Sequence, residues 1–494
     1  MQAKLSFDPR TALGLVLGLV SFAALAVLDQ QNGTLRAGVT PQTITWLSIA
    51  FVGFLLAVWG NERRPVSPAV LWGAAIVFRL LMLTTDPSLS DDVFRYLWDG
   101  HLLTEGVNPY SHPISASALD PHEIDIRRLA NNPHLASPYL PTAQLLFAGV
   151  AAALPLQALS IQVVMTVFDL GTGALIGLLL KRAGLPWHRM SLYLWHPLVV
   201  VELAHAAHLD ALMAFLALAS IALTVKGKPA VGTDGDTATV RGLSRWAWLS
   251  PLLLAASVLT RPLPLLFAPM MWWRWTWGQR ILFGLSTVAL LVPFSFGRSG
   301  LGLASATEGT GLFGSARVYA NDFRFNSGLP HWAEGMFGQN SIVVSLGTVV
   351  IMGVVGLAVW WCSRADLATN SNAVFASDLA RQMRLAAVPL MAYALLTPVF
   401  HPWYLILLLV MLPFIAPHKT ESPRRWVLLA PWLSLSALLP LSYLTYVDPL
   451  RFAEQEWIRR TEWIPTLALA AVATGVALSL QRTTSDGDRG VRPS

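Results

Sequence analysis

The segment AVLWGAAIVFRLLMLTTDPSLSDDVFRYLWDGHLLTEGVNPYSHP, residues 69–113, places a group of acids directly after an apolar run. The run at 69–85 contains one charged residue, whereas SDDVFRYLWDG, residues 90–100, contains three Asp and one Arg. Ionisable groups at the edge of a membrane are costly unless they are paired or used. The segment therefore predicts a membrane helix that leads into a loop with a chemical role.

The composition indicates an integral membrane protein. Hydrophobic residues make up 54% of the 494 residues, charged residues only 13%, and the mean hydropathy is +0.53. Apolar runs of about 15 to 22 residues, long enough to cross a bilayer with some tilt, recur between residues 11 and 481. We predict an all-α polytopic membrane protein that forms one domain over 1–494. The net charge of +6 fits basic cytoplasmic loops and does not indicate nucleic-acid binding.

Basic clusters set the predicted orientation. NERRP, KRAGLPWHR and HKTESPRR all fall on the side of the termini, which the positive-inside rule makes cytoplasmic. About fourteen membrane helices are expected, with both termini on this side. Their predicted positions are 11–28, 43–60, 67–84, 160–180, 188–204, 209–225, 247–260, 263–273, 280–296, 341–362, 384–399, 403–417, 426–445 and 463–481.

The apolar run at 141–157 needs a separate interpretation. If it crossed the membrane, Lys181 and Arg182 would lie outside, so we predict an interfacial or re-entrant helix. The whole segment 85–159 then becomes a large extracytoplasmic loop that carries interfacial helices. The other predicted segments are a second extracytoplasmic loop at 297–340, a cytoplasmic linker at 226–246 and a disordered cytoplasmic tail at 482–494.

The acidic motif has two interpretations. On a helix, Asp91, Asp92, Arg95 and Asp99 share one face because their spacings are close to whole turns. Helix capping and an ion pair between Asp92 and Arg95 would account for three of them without a function. Alternatively, a partly desolvated carboxylate at this depth is basic enough to take a proton from a hydroxyl. The excess of acids over Arg favours the second interpretation.

Polar residues also occur in the turn ELAHAAHLD. Glu202, His205, His208 and Asp210 fall between two predicted helices on the extracytoplasmic side. Two His and one Asp could bind a metal, but a turn gives them no fixed helical face. We therefore favour substrate hydrogen bonding or loop structure and expect no metal site.

Further candidates lie in later breaks between apolar segments. Arg261 precedes a proline, and a buried Arg there needs an anion, either a protein carboxylate or a lipid phosphate. His401 and Tyr404 begin a helix at the outer interface, where aromatic residues commonly form a belt. Arg324 lies in the second outer loop, and long loops of this kind tend to be functional. Asp169 lies within a helix and is expected to hydrogen bond to a neighbouring helix.

Four short motifs together resemble a known family. They are SDDVFRYLWDG followed by GVNPY and PTAQLLFA, then WHPLVVVELAHAAHLDAL, LTRPLPLL and TPVFHPWYL. In this order the chain is similar to the GT-C glycosyltransferases that use polyprenol-phosphate sugars, and in particular to bacterial mannosyltransferase-like membrane proteins. The resemblance covers most of the chain as topology, but its specific part is confined to these motifs.

The resemblance implies a function. It implies an inverting glycosyltransferase in the inner (plasma) membrane that moves a hexose, expected to be mannose, from a polyprenyl-phosphate sugar to a lipid-linked or protein acceptor. The active site would be extracytoplasmic, and no cofactor is expected. The family's base matches Asp91 or Asp92; we favour Asp91, because Asp91 and Asp99 fit a fainter pattern of two acids in the GPI mannosyltransferases. The implied substrate-binding residues are Arg95, Asp99, Asn108, Tyr110, Glu202, His205, His208, Asp210, Arg261, Arg324, His401 and Tyr404.

Two positions depart from the family pattern. AHAAHLD replaces a sequence that usually resembles Gly-His-Asn-Asp, which puts acceptor recognition in doubt, and Arg261 stands where many members carry Lys. The competing hypothesis is a polyprenyl-linked lipid flippase or transporter, which many helices would suit. The polar residues argue against it, because they cluster at one face of the predicted bundle and not at the midplane.

Overall fold

The computed structural model describes residues 8–32, 41–224, 246–295, 310–338, 342–364, 372–417, 423–446 and 454–489. These residues are helical and contain no β-strand, so the predicted all-α fold is confirmed for them. An isolated bridge joins Phe325 to Val399. The predicted linker 226–246 lies outside the described residues except for Trp246, and the second outer loop is described only over 310–338.

The first half of the chain contains nine α-helices within the described residues. α3 shows why they begin where they do, because Ser67 accepts a hydrogen bond from the Val70 amide and Pro68 occupies the first turn. The helices are α1 Pro9–Asn32, α2 Pro41–Arg63, α3 Pro68–Met82, α4 Asp92–Thr104, α5 Pro141–Ala153, α6 Ala158–Arg182, α7 Ser191–Leu194, α8 Pro197–Val200 and α9 Asp210–Thr224. Between them lie the 3-10 turns Ser117–His122, Asp125–Arg128 and Trp187–Met190 and the π-helical turn Val201–His205.

The second half alternates long helices with short ones. The α-helices are Leu249–Val258, Ala268–Trp272, Trp277–Ser295, Gly314–Asp322, Leu329–Phe337, Ile342–Arg364, Asn372–Leu396, Ile406–Leu409, Leu412–Ile415, Ala430–Leu438 and Glu456–Arg489. The 3-10 turns are Leu263–Phe267, Pro402–Leu405, Pro423–Leu428 and Leu439–Tyr446. The last helix continues into the predicted disordered tail, of which residues 490–494 lie outside the described part.

Seven helices in the described residues are long and apolar enough to cross a membrane, and a bent pair could provide an eighth. The predicted count of fourteen is therefore not confirmed. The predicted helices 188–204 and 209–225 meet in that pair, Pro197–His205 and Asp210–Thr224, with a bend of 111°. The predicted helix 67–84 is the 15-residue α3, which at about 1.5 Å per residue is shorter than the hydrocarbon core. The predicted helix 403–417 consists of short pieces that include Pro402–Leu405 and Leu412–Ile415.

α5 is the run that the sequence analysis placed at the membrane interface. It has 13 residues, or about 20 Å of helix, which is too short for a hydrocarbon core of about 30 Å. Its length favours the interfacial placement, which remains a prediction.

A buried ion pair connects three of the apolar helices. Arg79 of α3 donates to the Asp169 carboxylate of α6 and to the Leu194 carbonyl oxygen at 2.8 Å. The Tyr193 hydroxyl of α7 donates to the same carboxylate at 2.7 Å. Asp169 thus makes the expected helix-to-helix hydrogen bonds, and its charge is matched within the protein.

α4 and α5 are in contact at the backbone. A Cβ added at Gly100 would lie 2.4 Å from the Phe147 carbonyl oxygen, so only glycine allows this approach. Tyr96 of α4 stacks on the Phe147 ring with centroids 4.6 Å apart. This contact fixes the orientation of α4, and therefore the position of the acids at its first turn.

Gly100→Ala should consequently destabilise the protein by about 1–3 kcal/mol, because the added methyl forces two backbones apart. Gly149→Ala is the matched control on α5, since its Cβ would meet nothing within 4 Å and alanine favours a helix. Thermal unfolding in detergent measures both variants. Equal midpoints for the two would show that the α4–α5 contact is not tight.

Candidate functional site

Two carboxylates lie together where α4 begins. The Asn131 side-chain amide donates to Asp91 Oδ1 at 2.9 Å and to Asp92 Oδ1 at 2.7 Å. Asp91 occupies the N-cap position of α4, but its side chain makes no capping hydrogen bond. The neighbouring Ser90 Oγ accepts from the Asp92 amide at 3.3 Å. Asn131 was not identified from the sequence. It lies far along the loop in a stretch without a recognisable motif.

Arg95 pairs with Asp99. The non-functional interpretation of the sequence had assumed an ion pair between Arg95 and Asp92 instead. Arg95 Nε donates to Asp99 Oδ1 at 3.0 Å, and both side chains are 1% exposed. The guanidinium also donates to the carbonyl oxygens of Asn131 and Leu135, each at 3.2 Å. Gln144 of α5 donates to the second Asp99 oxygen at 3.2 Å. These contacts hold the loop that carries Asn131. Through Asn131 they position Asp91 and Asp92, which we call the acidic pair.

Asn108 and Tyr110 form a structural turn. Asn108 Oδ1 accepts from the Tyr110 amide at 3.0 Å, and its amide group donates to the Phe294 carbonyl oxygen at 3.2 Å. The Tyr110 hydroxyl donates to the Tyr139 carbonyl oxygen, and the Tyr110 carbonyl oxygen accepts from the Gly311 amide at 2.8 Å. The turn therefore joins the first outer loop to the end of Trp277–Ser295 and to the second loop.

His208 faces the acidic pair. Its Nε2 lies 3.9 Å from Asp92 Oδ2, and its Nδ1 lies 3.1 Å from both the carbonyl oxygen and Oε2 of Glu202. The Tyr443 hydroxyl donates to Glu202 Oε1 at 2.5 Å. A π-helical turn and a left-handed residue, Ala207 with φ 58°, produce the bend that directs His208 here.

His205 occupies a different position from His208. Its Nε2 accepts from the Ser88 amide at 3.0 Å, and its Nδ1 lies 2.9 Å from Thr85 Oγ1. Asp29 Oδ2 is 3.6 Å from the ring. These contacts hold the connection between α3 and α4, which gives His205 a supporting role.

Arg261 forms an ion pair with a protein carboxylate, one of its two expected partners. Its Nε lies 3.2 Å from Asp210 Oδ2, and its guanidinium carbon lies 5.4 Å from the centre of the Tyr404 ring. The side chain of Arg261 is 17% exposed, whereas Asp210 is buried. Burial and the Asp92 charge raise the pKa of Tyr139, and the Arg261 charge lowers it. Asp92 and Arg261 therefore both lie close enough to act on one phenol.

Arg324 is placed elsewhere. Its Nε pairs with Glu334 Oε1 at 3.2 Å on the helix Leu329–Phe337. No contact described for it reaches the acidic pair.

A row of four stacked rings links His208 to the second outer loop. The His208 and Trp403 centroids are 3.8 Å apart, Trp403 and His401 are 4.4 Å apart, and His401 and Phe325 are 4.4 Å apart. The Tyr319 hydroxyl lies 3.0 Å from His401 Nε2. Burial lowers the pKa of His401 to about 3, so this ring is neutral at ordinary pH. The position of Trp403 at the start of a predicted helix had indicated a member of an aromatic belt. In the structure Trp403 instead packs on the candidate site residue His208.

The described residues contain no group of three or more His, Cys, Asp or Glu side chains arranged to hold a metal ion. The geometry instead provides carboxylates, a histidine and an arginine around one region. A family model described as "Alpha-(1->6)-mannopyranosyltransferase, N-terminal domain" matches residues 12–277, which is more than half of the chain. The chain belongs to this mannosyltransferase family. No curated protein and no solved structure matches it.

Family membership confirms the expectation of a mannosyltransferase-like GT-C membrane glycosyltransferase. The matched range of this mannosyltransferase includes the acidic pair, the turn 202–210 and Arg261. Trp403 and Tyr443 lie beyond it but contact His208 and Glu202 inside it, and His401, which stacks on Trp403, also lies beyond it. The carboxyl-terminal half of the chain therefore completes the candidate site.

Arg95→Met should lower the stability of this mannosyltransferase by about 3 kcal/mol, because it leaves the buried Asp99 charge without its partner. Arg128→Met in the same loop is the control, since the Arg128 side chain is 75% exposed. Thermal unfolding in detergent compares them. If Arg95→Met and Arg128→Met had the same unfolding midpoint, the supporting role of Arg95 would be wrong.

Proposed function

We propose that this chain is an inverting glycosyltransferase that moves mannose from a polyprenyl-phosphate sugar to a lipid-linked or protein acceptor. The reaction would take place at the extracytoplasmic face of the plasma membrane, with the termini in the cytoplasm. Family membership supports mannose transfer. The observation that carries the mechanism is a partly exposed carboxylate, Asp92, and a partly exposed cation, Arg261, which contact the same turn 202–210 through His208 and Asp210.

The reaction needs a base beside the acceptor hydroxyl and an anion-binding group beside the departing phosphate. In the proposed step, the acceptor hydroxyl gives its proton to a carboxylate, and its oxygen forms a bond to the anomeric carbon. The bond from that carbon to the phosphate oxygen breaks, and its electron pair leaves with the phosphate. Attack from the face opposite the phosphate inverts the anomeric centre, and Arg261 stabilises the departing phosphate.

The contacts favour Asp92 over Asp91 as the base, although the sequence pattern had favoured Asp91. The Asp92 side chain is 15% exposed, and its Oδ2 faces His208 Nε2 and lies 3.5 Å from the Tyr96 hydroxyl. Asp92 is therefore the acid of the pair whose described contacts reach the turn 202–210. Asp91 shares the Asn131 amide with Asp92 and remains the second candidate.

Asp92→Asn should lower kcat by at least about 100-fold, because general base catalysis contributes roughly 10²–10⁴-fold. Asp91→Asn should have the smaller effect, and Asp125→Asn is the control at an exposed acid in the same loop. Transfer of radiolabelled mannose from polyprenyl-phosphate mannose, assayed with purified protein, measures all three. The base assignment fails if Asp92→Asn transfers mannose at the unmodified rate.

The same assay addresses the flippase hypothesis. Label that passes to a glycolipid or glycoprotein supports the transferase. Label that moves between the leaflets of a proteoliposome as intact lipid, without transfer, would support the flippase instead and overturn the proposed function.

A further inference from the structure

Four side chains from distant parts of the chain form a line that ends at the acidic pair. Tyr443 donates to Glu202 Oε1 at 2.5 Å, His208 Nδ1 lies 3.1 Å from Glu202 Oε2, and His208 Nε2 lies 3.9 Å from Asp92 Oδ2. Glu202 and His208 are both fully buried. Only Asp92, at 15% exposure, reaches the open side of the site. The line therefore runs inward from the proposed base.

The contacts define the protonation of the His208 ring. A carbonyl oxygen can only accept, so the hydrogen bond to the Glu202 carbonyl oxygen places the ring hydrogen on Nδ1. In the neutral ring Nε2 then carries a lone pair. Among the described residues Nε2 has no hydrogen-bond partner, although it is buried and faces Asp92.

The backbone around His208 holds the ring in this orientation. Ala207 has φ 58°, in a region that residues with a Cβ rarely adopt. The His208 amide donates to the Glu202 carbonyl oxygen at 3.0 Å, which closes the turn. The Trp403 ring covers one face of the imidazole. A strained turn and a stacked ring thus direct a nitrogen without a partner at the proposed base.

We infer that His208 accepts from Asp92 the proton that Asp92 removes from the acceptor hydroxyl. This inference rests on the proposed function. The O–H bond of the protonated Asp92 breaks, a bond to Nε2 forms, and the carboxylate is restored as His208 becomes an imidazolium. Glu202 balances the new positive charge through Nδ1, and after the product departs the proton returns to solvent through Asp92, the exposed end of the line. Because His208 acts through Asp92, it is a positioning residue with a proton-accepting role.

Charged groups face His208 from each element around it. Asp92 comes from α4, Glu202 from the π-helical turn and Asp210 from the start of α9. Arg261 pairs with Asp210, and the neutral His401 lies on the far side of Trp403. Three acids and one arginine therefore surround the ring.

His208→Asn provides the direct test. The asparagine amide can replace Nδ1 as a donor to Glu202 but offers nothing at the place of Nε2. We expect kcat for mannose transfer to fall about 100-fold with the donor KM unchanged. His196→Asn is the matched control, because His196 is also fully buried but contacts Ser436 at 3.1 Å, away from the acidic pair.

The pH profile separates a proton-accepting role from a structural one. If His208 only packs the site, His208→Asn should lower the rate by the same factor at every pH, whereas loss of a proton acceptor should change the shape of the pH profile. Glu202→Gln keeps the shape of the side chain but removes the charge that balances the imidazolium, so it should lower kcat and change the same profile. This second variant decides the matter if His208→Asn does not fold.

The outcomes also separate the two proposals. An unmodified protein that transfers no mannose from polyprenyl-phosphate mannose overturns the proposed function itself. If the unmodified protein is active but a folded His208→Asn keeps its kcat, or if neither variant changes the shape of the pH profile, the proton-accepting role of His208 is wrong and the transferase stands.

Discussion

The buried ion pair between Arg95 and Asp99 is the interaction on which the candidate site depends. Two charges that are 1% exposed are tolerated only when every hydrogen-bonding direction is used. Here Arg95 reaches two carbonyl oxygens of the loop and Asp99 reaches Gln144 of α5. The pair therefore does more than neutralise charge. It binds α4, α5 and the loop together, and through that loop it places the Asn131 amide between Asp91 and Asp92.

The requirement that buried charges be paired also explains which charged side chains are available to act on a substrate. Arg79 and Asp169 are paired within the apolar helices, and Arg324 is paired with Glu334. Asp92 differs because its polar contacts leave the carboxylate partly exposed and facing a histidine nitrogen without a partner. Arg261 differs because it is paired on one side with Asp210 and partly exposed on the other. An anion that approached Arg261 would compete with Asp210, so binding would be strongest for a doubly charged group such as a phosphate monoester.

The sequence predicted features that depend only on residues close together in the chain. The spacing of Asp92, Arg95 and Asp99 predicted a shared helical face, and α4 begins at Asp92. It did not decide between Asp92 and Asp99 as the partner of Arg95, because both spacings are compatible with a helix. The choice depends on Gln144 and the Leu135 carbonyl oxygen, which come from other elements. The predicted helix count is not confirmed for a related reason, because prolines and the π-helical turn break apolar runs that hydropathy alone treats as continuous.

Contacts between distant segments account for the part of the site that the sequence could not predict. Trp403 resembled a belt residue because its apolar neighbours and its place at the start of a helix are typical of one. Its stacking on His208 depends on how the segment around Pro402–Leu405 packs against the turn 202–210. In that turn Ala207 has φ 58°, a left-handed backbone that is strained in a residue other than glycine. A strained turn persists only when its surroundings hold it, and here Trp403 and Tyr443 come from the half of the chain beyond the family match. The carboxyl-terminal helices therefore do more than anchor the protein in the membrane, because they hold the histidine that faces the proposed base.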